Sequence, residues 1–447
     1  MKKQHFNLLR GVFSLFVLVI ILSACSTNNW PNFRGPNDSM VISAGELPTE
    51  WNDSTHVKWT QSLNGESWSS PIVYGDKVFY SSAILLKKAP EKPKSEDPTQ
   101  QDADKNSLPE DIYRWQLTCL DVKTGNELWN VVSYEGTPRI KKHSGSTYAC
   151  ETPVTDGKHV WVYYGMHGVY CYDLNGSLVW KQDPGAYPTL NDWGTGSSPA
   201  LYNNTLYVLV DNEKSSFLIA YDALTGDEKW KVSRDEKTTY STPVIWENNV
   251  RSELVTLGSK ARSYNPETGE VLWELEFNIG RAVASPVFDK EKIYVGLSGG
   301  PRDVGPLHAV KAGASGQLSP AFGNSNEFVA WSDTLAGLGN PSPVLYNGLI
   351  YLVSDRGGDV ICIDASTGEH LYKEKAGKAA ACWSTPWIYK DQLYFYDEKG
   401  VTQIVQTGSE FKVLGSNLLN DKFWASVAVA GSDYIFKGVE KIYCIGK

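Results

Sequence analysis

One phrase recurs along the chain and narrows what it can fold into. A Ser/Thr-Pro step opens a stretch of alternating apolar residues, and Asp-x-x-Thr-Gly-x-x-x-Trp follows. The steps are Ser70-Pro71, Thr152-Pro153, Ser198-Pro199, Thr242-Pro243, Ser285-Pro286, Ser342-Pro343 and Thr385-Pro386, with a worn eighth copy at Ser426-Val427. Most steps are close to the 43 residues that separate Thr242 from Ser285. A repeat of this length, built of short alternating segments, is a β-propeller blade. It cannot bury its faces alone, so it stacks on the next copy. The sequence therefore predicts an all-β, eight-bladed β-propeller.

The third repeat shows how a blade is written. Pro199 opens one strand, Leu206–Val210 forms a second and Phe217–Tyr221 a third. Asp222-Ala223-Leu224-Thr225-Gly226 makes a turn, and Trp230 starts a fourth strand. β-Branched and aromatic residues fill the strands, and the turn glycine supplies the positive φ that a tight antiparallel turn needs. Trp129, Trp180, Trp230 and Trp273 each follow such a glycine by four positions, and Tyr372 follows Gly368 likewise. One large ring per blade at a fixed place reads as packing between neighbouring blades.

The last repeat ends at Lys447 without an outer strand. Val57-Lys58-Trp59-Thr60 has the outer-strand pattern with no repeat before it. The N-terminal strand is therefore expected to complete the C-terminal blade. The ring then closes with few free edges, and residues 57–447 make one propeller.

Residues 1–24 read as a lipoprotein signal peptide. Lys2, Lys3 and Arg10 precede the apolar run Val12–Leu22, which ends in Leu22-Ser23-Ala24-Cys25. That string resembles the bacterial lipobox, which implies lipid on Cys25. Ser26 follows, not Asp, and no acidic run comes after it. By the enterobacterial sorting rule this implies an outer-membrane lipoprotein facing the periplasm. Residues 25–56 are then expected to be a lipidated tether and leader, the tether reaching about Glu50. Removing residues 1–24 takes three positive charges and moves the formal net charge from −9 to −12. An acidic chain without a basic aromatic stripe argues against nucleic acid.

The chain has seven cysteines. Cys119, Cys171 and Cys362 stand two residues before Asp121, Asp173 and Asp364, where Ala220, Ser263 and Ala309 stand in other repeats, and Cys444 fits the same slot. These read as buried small apolar groups, one per blade and too far apart to bridge. Cys150 and Cys382 precede strand openings, and a bridge between them is left open. Residues 87–111, rich in charge and proline, read as a mobile insertion in blade one. Gly299–Gly323 reads as a longer insertion in blade five, and its Gly299-Gly300-Pro301-Arg302 is a poor phosphate loop.

Leu-Asp-Val-Lys-Thr-Gly-Asn-Glu-Leu-Trp (120–129) and Tyr-Asp-Ala-Leu-Thr-Gly-Asp-Glu-Lys-Trp (221–230) resemble the repeat of the PQQ-like β-propeller family. The resemblance runs from about Trp30 to the end. Trp30-Pro31-Asn32-Phe33-Arg34-Gly35-Pro36, with Leu47-Pro48 and Trp51, is similar to the leader of a bacterial group with PQQ-binding-like repeats. The fold implied is that of the quinoprotein dehydrogenases, which carry PQQ with Ca²⁺ on the axis beside a vicinal disulfide. The other branch is the BamB-like lipoproteins, scaffolds without a cofactor. This chain has no Cys-Cys pair and no recognisable calcium set, so no cofactor and no metal are expected, PQQ with Ca²⁺ being the alternative.

The innermost strand of each blade starts near the channel mouth. In register, the residues before it are Trp68, Cys150, Gly196, Tyr240, Val283, Asn340, Trp383 and Trp424. Glu151, Asp192, Trp193, Arg281 and Lys422 lie in the same entry loops. The expected ligand site is therefore Trp68, Glu151, Asp192, Trp193, Tyr240, Arg281, Trp383 and Trp424, an aromatic wall with a few charges suited to a planar or sugar-like guest. The opposing reading is that the rings plug the channel. No catalytic motif is present, so no catalytic residue is assigned. The sequence reads as a monomeric, lipid-anchored binding or scaffold protein whose partner is an envelope protein, a peptide or a carbohydrate. The alternative is a periplasmic propeller enzyme, a PQQ-type oxidoreductase or a carbohydrate-active one, with its site on the axis.

Overall fold

A computed structural model describes residues 29–43, 45–90, 107–277, 281–299 and 305–447. Residues 1–24, expected to be a signal peptide, Cys25, the middle of the expected blade-one insertion (91–106) and Gly300-Pro301-Arg302 lie outside them. The described residues form eight antiparallel sheets of four strands arranged as a ring, and two sheets gain a fifth strand. The only helices among them are three short 3-10 turns. Blade three has its four strands at Ala200–Tyr202, Thr205–Val210, Ser216–Asp222 and Glu228–Arg234, as its sequence predicts.

Blade eight consists of Ala428–Ala430, Asp433–Lys437 and Lys441–Ile445, completed on the outside by Val57–Ser62 paired antiparallel to Lys441–Ile445. The ring is thus closed by the N-terminal strand. In blade five, the strand Leu307–Lys311 runs through the stretch expected to be one insertion and divides it. Gly316–Leu318, beyond it, crosses to blade four and pairs parallel to the outer strand there.

Register explains the small-residue slot. Cys119, Cys171, Cys362 and Cys444 lie directly across from Trp129, Trp180, Tyr372 and Trp59. Ala220, Ser263 and Ala309 lie across from Trp230, Trp273 and Trp331. A large ring on the outer strand leaves room only for a small neighbour on the third. In blade seven the sizes are exchanged, with Ile404 opposite Gly415. All six described cysteines, including Cys150 and Cys382, are free thiols.

The outer-strand rings join the blades. Trp129 Nε1 donates to the Leu174 carbonyl of the next blade, Trp180 to Ala223, Trp230 to Pro266 and Trp331 to Ala365, at 2.8–3.1 Å. Each ring also covers the turn glycine of that blade. At Gly226, φ is +79° and a Cβ would lie 2.7 Å from Trp180, so only glycine fits.

The Ser/Thr of each Ser/Thr-Pro step ties the inner strands together. The backbone N–H of Ser70 donates to Thr152 Oγ1, Thr152 to Ser198, Ser198 to Thr242, Thr242 to Ser285 and Ser285 to Ser342. On the far side Thr385 donates to Ser426, and Ser426 to Ser70. These bonds of 2.9–3.1 Å make a collar around the axis, interrupted between Ser342 and Thr385, and explain why the seven steps other than Thr385 carry a hydroxyl.

From Trp30 onward the leader is packed structure, which corrects the expectation of a tether as far as Glu50. Trp30 exchanges backbone hydrogen bonds with Val73. Val41–Ile42 lies parallel to the innermost strand of blade seven, on its axial side. Trp51 packs on Tyr394, Tyr434 and Phe436 between blades seven and eight. Arg34 is 1% exposed and donates to the carbonyls of Pro286 (2.5 Å) and Pro343 (3.2 Å), one residue past the collar. Burial lowers its guanidinium to about 10, so it remains charged at neutral pH.

Candidate functional site

The entry loops, the collar and Phe33 of the leader line one funnel on the axis. The cavity has a volume of about 610 Å³. All eight residues expected at the channel mouth line it: Trp68, Cys150, Gly196, Tyr240, Val283, Asn340, Trp383 and Trp424. The register argument works because each innermost strand starts at the same height above its Ser/Thr-Pro step.

Trp68 and Trp424, adjacent once the ring closes, stack on each other with centroids 5.0 Å apart and planes 12° apart. Trp383 stands free of this pair and is 38% exposed, and its Nε1 donates to Glu398 Oε2 at 3.2 Å. Across the funnel Trp193 packs against Tyr240, and the Arg281 guanidinium lies 4.9 Å above the Trp193 ring. Burial pushes the Tyr240 hydroxyl upward, so it stays protonated and neutral.

Two expected site residues lie elsewhere. Glu151 is buried behind the wall and does not line the cavity. Its neighbour Cys150 takes the lining position, because alternate residues of an extended segment face opposite ways. Burial raises the Glu151 carboxyl to about 7, and Oε1 has no hydrogen-bond partner. Asp192 is exposed in the 3-10 turn Leu190–Asp192, outside the funnel lining.

The sequence reading missed Phe33, His143, Asp355, Arg356 and Glu398, all of which line the funnel. Asp355 and Arg356 follow the second strand of blade six, and Glu398 that of blade seven. The loops joining second to third strands return to the mouth, and applying that rule to each repeat finds these positions. Asp355 Oδ2 accepts from Asn340 Nδ2 at 2.7 Å. Nothing in the leader signals that Phe33 would reach the axis.

A family model described as outer membrane protein assembly factor BamB matches residues 114–374. The chain belongs to this family. Among solved structures, a europium-containing methanol dehydrogenase superposes with a TM-score of 0.55 at 12% identity, over 93% of this chain and 90% of that one. BamB from Moraxella catarrhalis aligns over 66% of this chain and 94% of its own at 14% identity, TM-score 0.40. Quinohemoprotein alcohol dehydrogenase from Comamonas testosteroni aligns over 94% and 81% at 12% identity, TM-score 0.47. At such identities the methanol dehydrogenase likeness speaks for the propeller fold alone. Comparison with curated protein sequences finds no match.

The funnel can be tested against a calcium-bound quinone. Among the described residues no three His, Cys, Asp or Glu side chains are grouped to hold a metal. The funnel carboxylate Glu398 accepts from the neutral indole of Trp383. Trp68 and Trp424 are stacked on each other, which leaves no slot between them for a planar guest. This donor set does not fit a metal-bound tri-acid.

Proposed function

We propose that the protein is a non-catalytic binding protein of the bacterial cell envelope. A lipid on Cys25 holds it at the periplasmic face of the outer membrane, and it captures its ligand in the axial funnel. The observation that carries this reading is the axial funnel, lined by Trp68, Trp424, Trp383, Trp193 and Tyr240 together with Phe33 of the leader. Its volume falls within the roughly 300–1,000 Å³ typical of small-ligand pockets. Membership of the assembly-factor family agrees with an envelope location, and no described helix is long and apolar enough to cross a membrane.

Two assays on the processed chain test the reading. Dye reduction with alcohols and sugars after incubation with PQQ and Ca²⁺ is expected to stay at background. Chromatography of oligosaccharides left with the protein is expected to show no cleavage. Turnover in either assay replaces this reading with that of a propeller enzyme.

A further inference from the structure

The two halves of the funnel carry different chemistry. On the side of blades three to five, Arg281 lies over Trp193 and has no ion pair or side-chain hydrogen bond with the described residues. Among the described residues no carboxylate lines that half. On the opposite side, Trp383 offers an open ring face, with Glu398, Asp355 and Arg356 lining the same side. Glu398 accepts one bond, from Trp383 Nε1, and has lone pairs for more. Between the halves lies the collar. Ser70, Thr152, Ser198, Thr242, Ser342 and Ser426 each accept a backbone N–H, and none has an acceptor for its own O–H among the described residues. The collar thus supplies hydroxyl donors.

We infer that the funnel takes the end of an acidic saccharide, a uronic-acid oligosaccharide. The inference rests on the funnel being a binding site, as proposed above, and adds the class of ligand. Arg281 pairs with the sugar carboxylate, a fork-shaped donor against a two-oxygen acceptor. The Trp383 face stacks on the C–H face of a pyranose ring. Glu398 accepts from sugar hydroxyls, and the collar donates to sugar oxygens. A planar tri-acid has no hydroxyl donors and would meet both carboxylates as like charges. A neutral sugar would leave Arg281 without an anion. A guest with many hydroxyls and one carboxylate per ring satisfies both halves.

The test uses the processed full-length protein, calorimetric titration and tryptophan fluorescence. The probes are trigalacturonate, its methyl ester, maltotriose, PQQ without metal, and a short peptide with a free C-terminal carboxylate. Trigalacturonate is expected to bind saturably, with the ester and maltotriose about tenfold weaker or worse, the usual loss when a charged hydrogen bond is removed. Arg281→Gln should bring trigalacturonate down to the level of the ester, and Trp383→Ala should weaken acid and ester alike. The acid–ester comparison needs no variant, so it decides even if Arg281→Gln fails to fold. Equal binding of acid and ester overturns the acidic-sugar assignment and leaves the binding-protein reading standing. So does tighter binding of PQQ or the peptide, or binding of none of the saccharides. Cleavage or oxidation of the sugar would overturn the non-catalytic reading instead.

Discussion

The Trp59 indole, on the N-terminal strand, covers Gly125 in blade one and donates its Nε1–H to the Val122 carbonyl at 2.9 Å. The same strand pairs with Lys441–Ile445 on its other edge. One segment thus completes blade eight and attaches it to blade one. Trp59→Ala should cost about 3–5 kcal/mol. Gly125→Ala should cost about 1–3 kcal/mol, because φ is +72° and a Cβ would stand 2.4 Å from the indole. Deleting Val57–Leu63 should expose the edge of blade eight and cause aggregation. Denaturant melts and light scattering check all three, and an unchanged melt for the deletion would count against closure by this strand.

Arg34 bridges the carbonyls of Pro286 and Pro343 from beneath the collar. Arg34→Met should destabilise by about 2–4 kcal/mol, since it leaves buried carbonyls without donors. Arg34→Lys should recover only part of that, because one ammonium cannot reproduce the two-pronged geometry. Urea midpoints of the two variants measure the difference.

Glu151 gives a pH dependence of known sign. Burial raises its carboxyl from 4.5 to about 7 in the folded protein. The unfolded chain therefore releases this proton first as pH rises. The stability held below pH 4.5 declines through the interval up to about 7 and is flat above it. Glu151→Gln should remove that decline, leaving stability unchanged near pH 4 and raising it by about 3 kcal/mol at pH 8. Melting temperatures across this range test it, and an undiminished decline in the variant would show that other groups cause it.

Lipidation is tested apart from the fold. Cys25→Ser should leave the protein uncleaved or release it from the membrane fraction, and globomycin should cause the unprocessed form to accumulate. Wild-type protein free in the periplasm with Cys25 unmodified would rule out the anchor.

Much of the site was legible because a propeller is periodic. Once the Ser/Thr-Pro step set the register, the residue two places before it could be located in every blade, and all eight such residues line one cavity. Counting failed where neighbours in sequence face opposite ways. Cys150 lines the funnel and Glu151 is buried behind it. It also missed Asp355, Arg356 and Glu398, which sit in loops outside the repeated phrase.

The sequence by itself determined the blade count, the strand order within each blade and the closure of the ring. These follow from local alternation, turn glycines and a repeat length, and such patterns are written along the chain. Only the tertiary structure decided what the leader does. Phe33 and Arg34 have no periodic partner in sequence, and their positions depend on Pro286 and Pro343, more than 250 residues away. The stacking of Trp68 on Trp424 was settled in the same way. It exists because the first and last blades become neighbours when the ring closes, and its geometry is set by contacts distant in the chain.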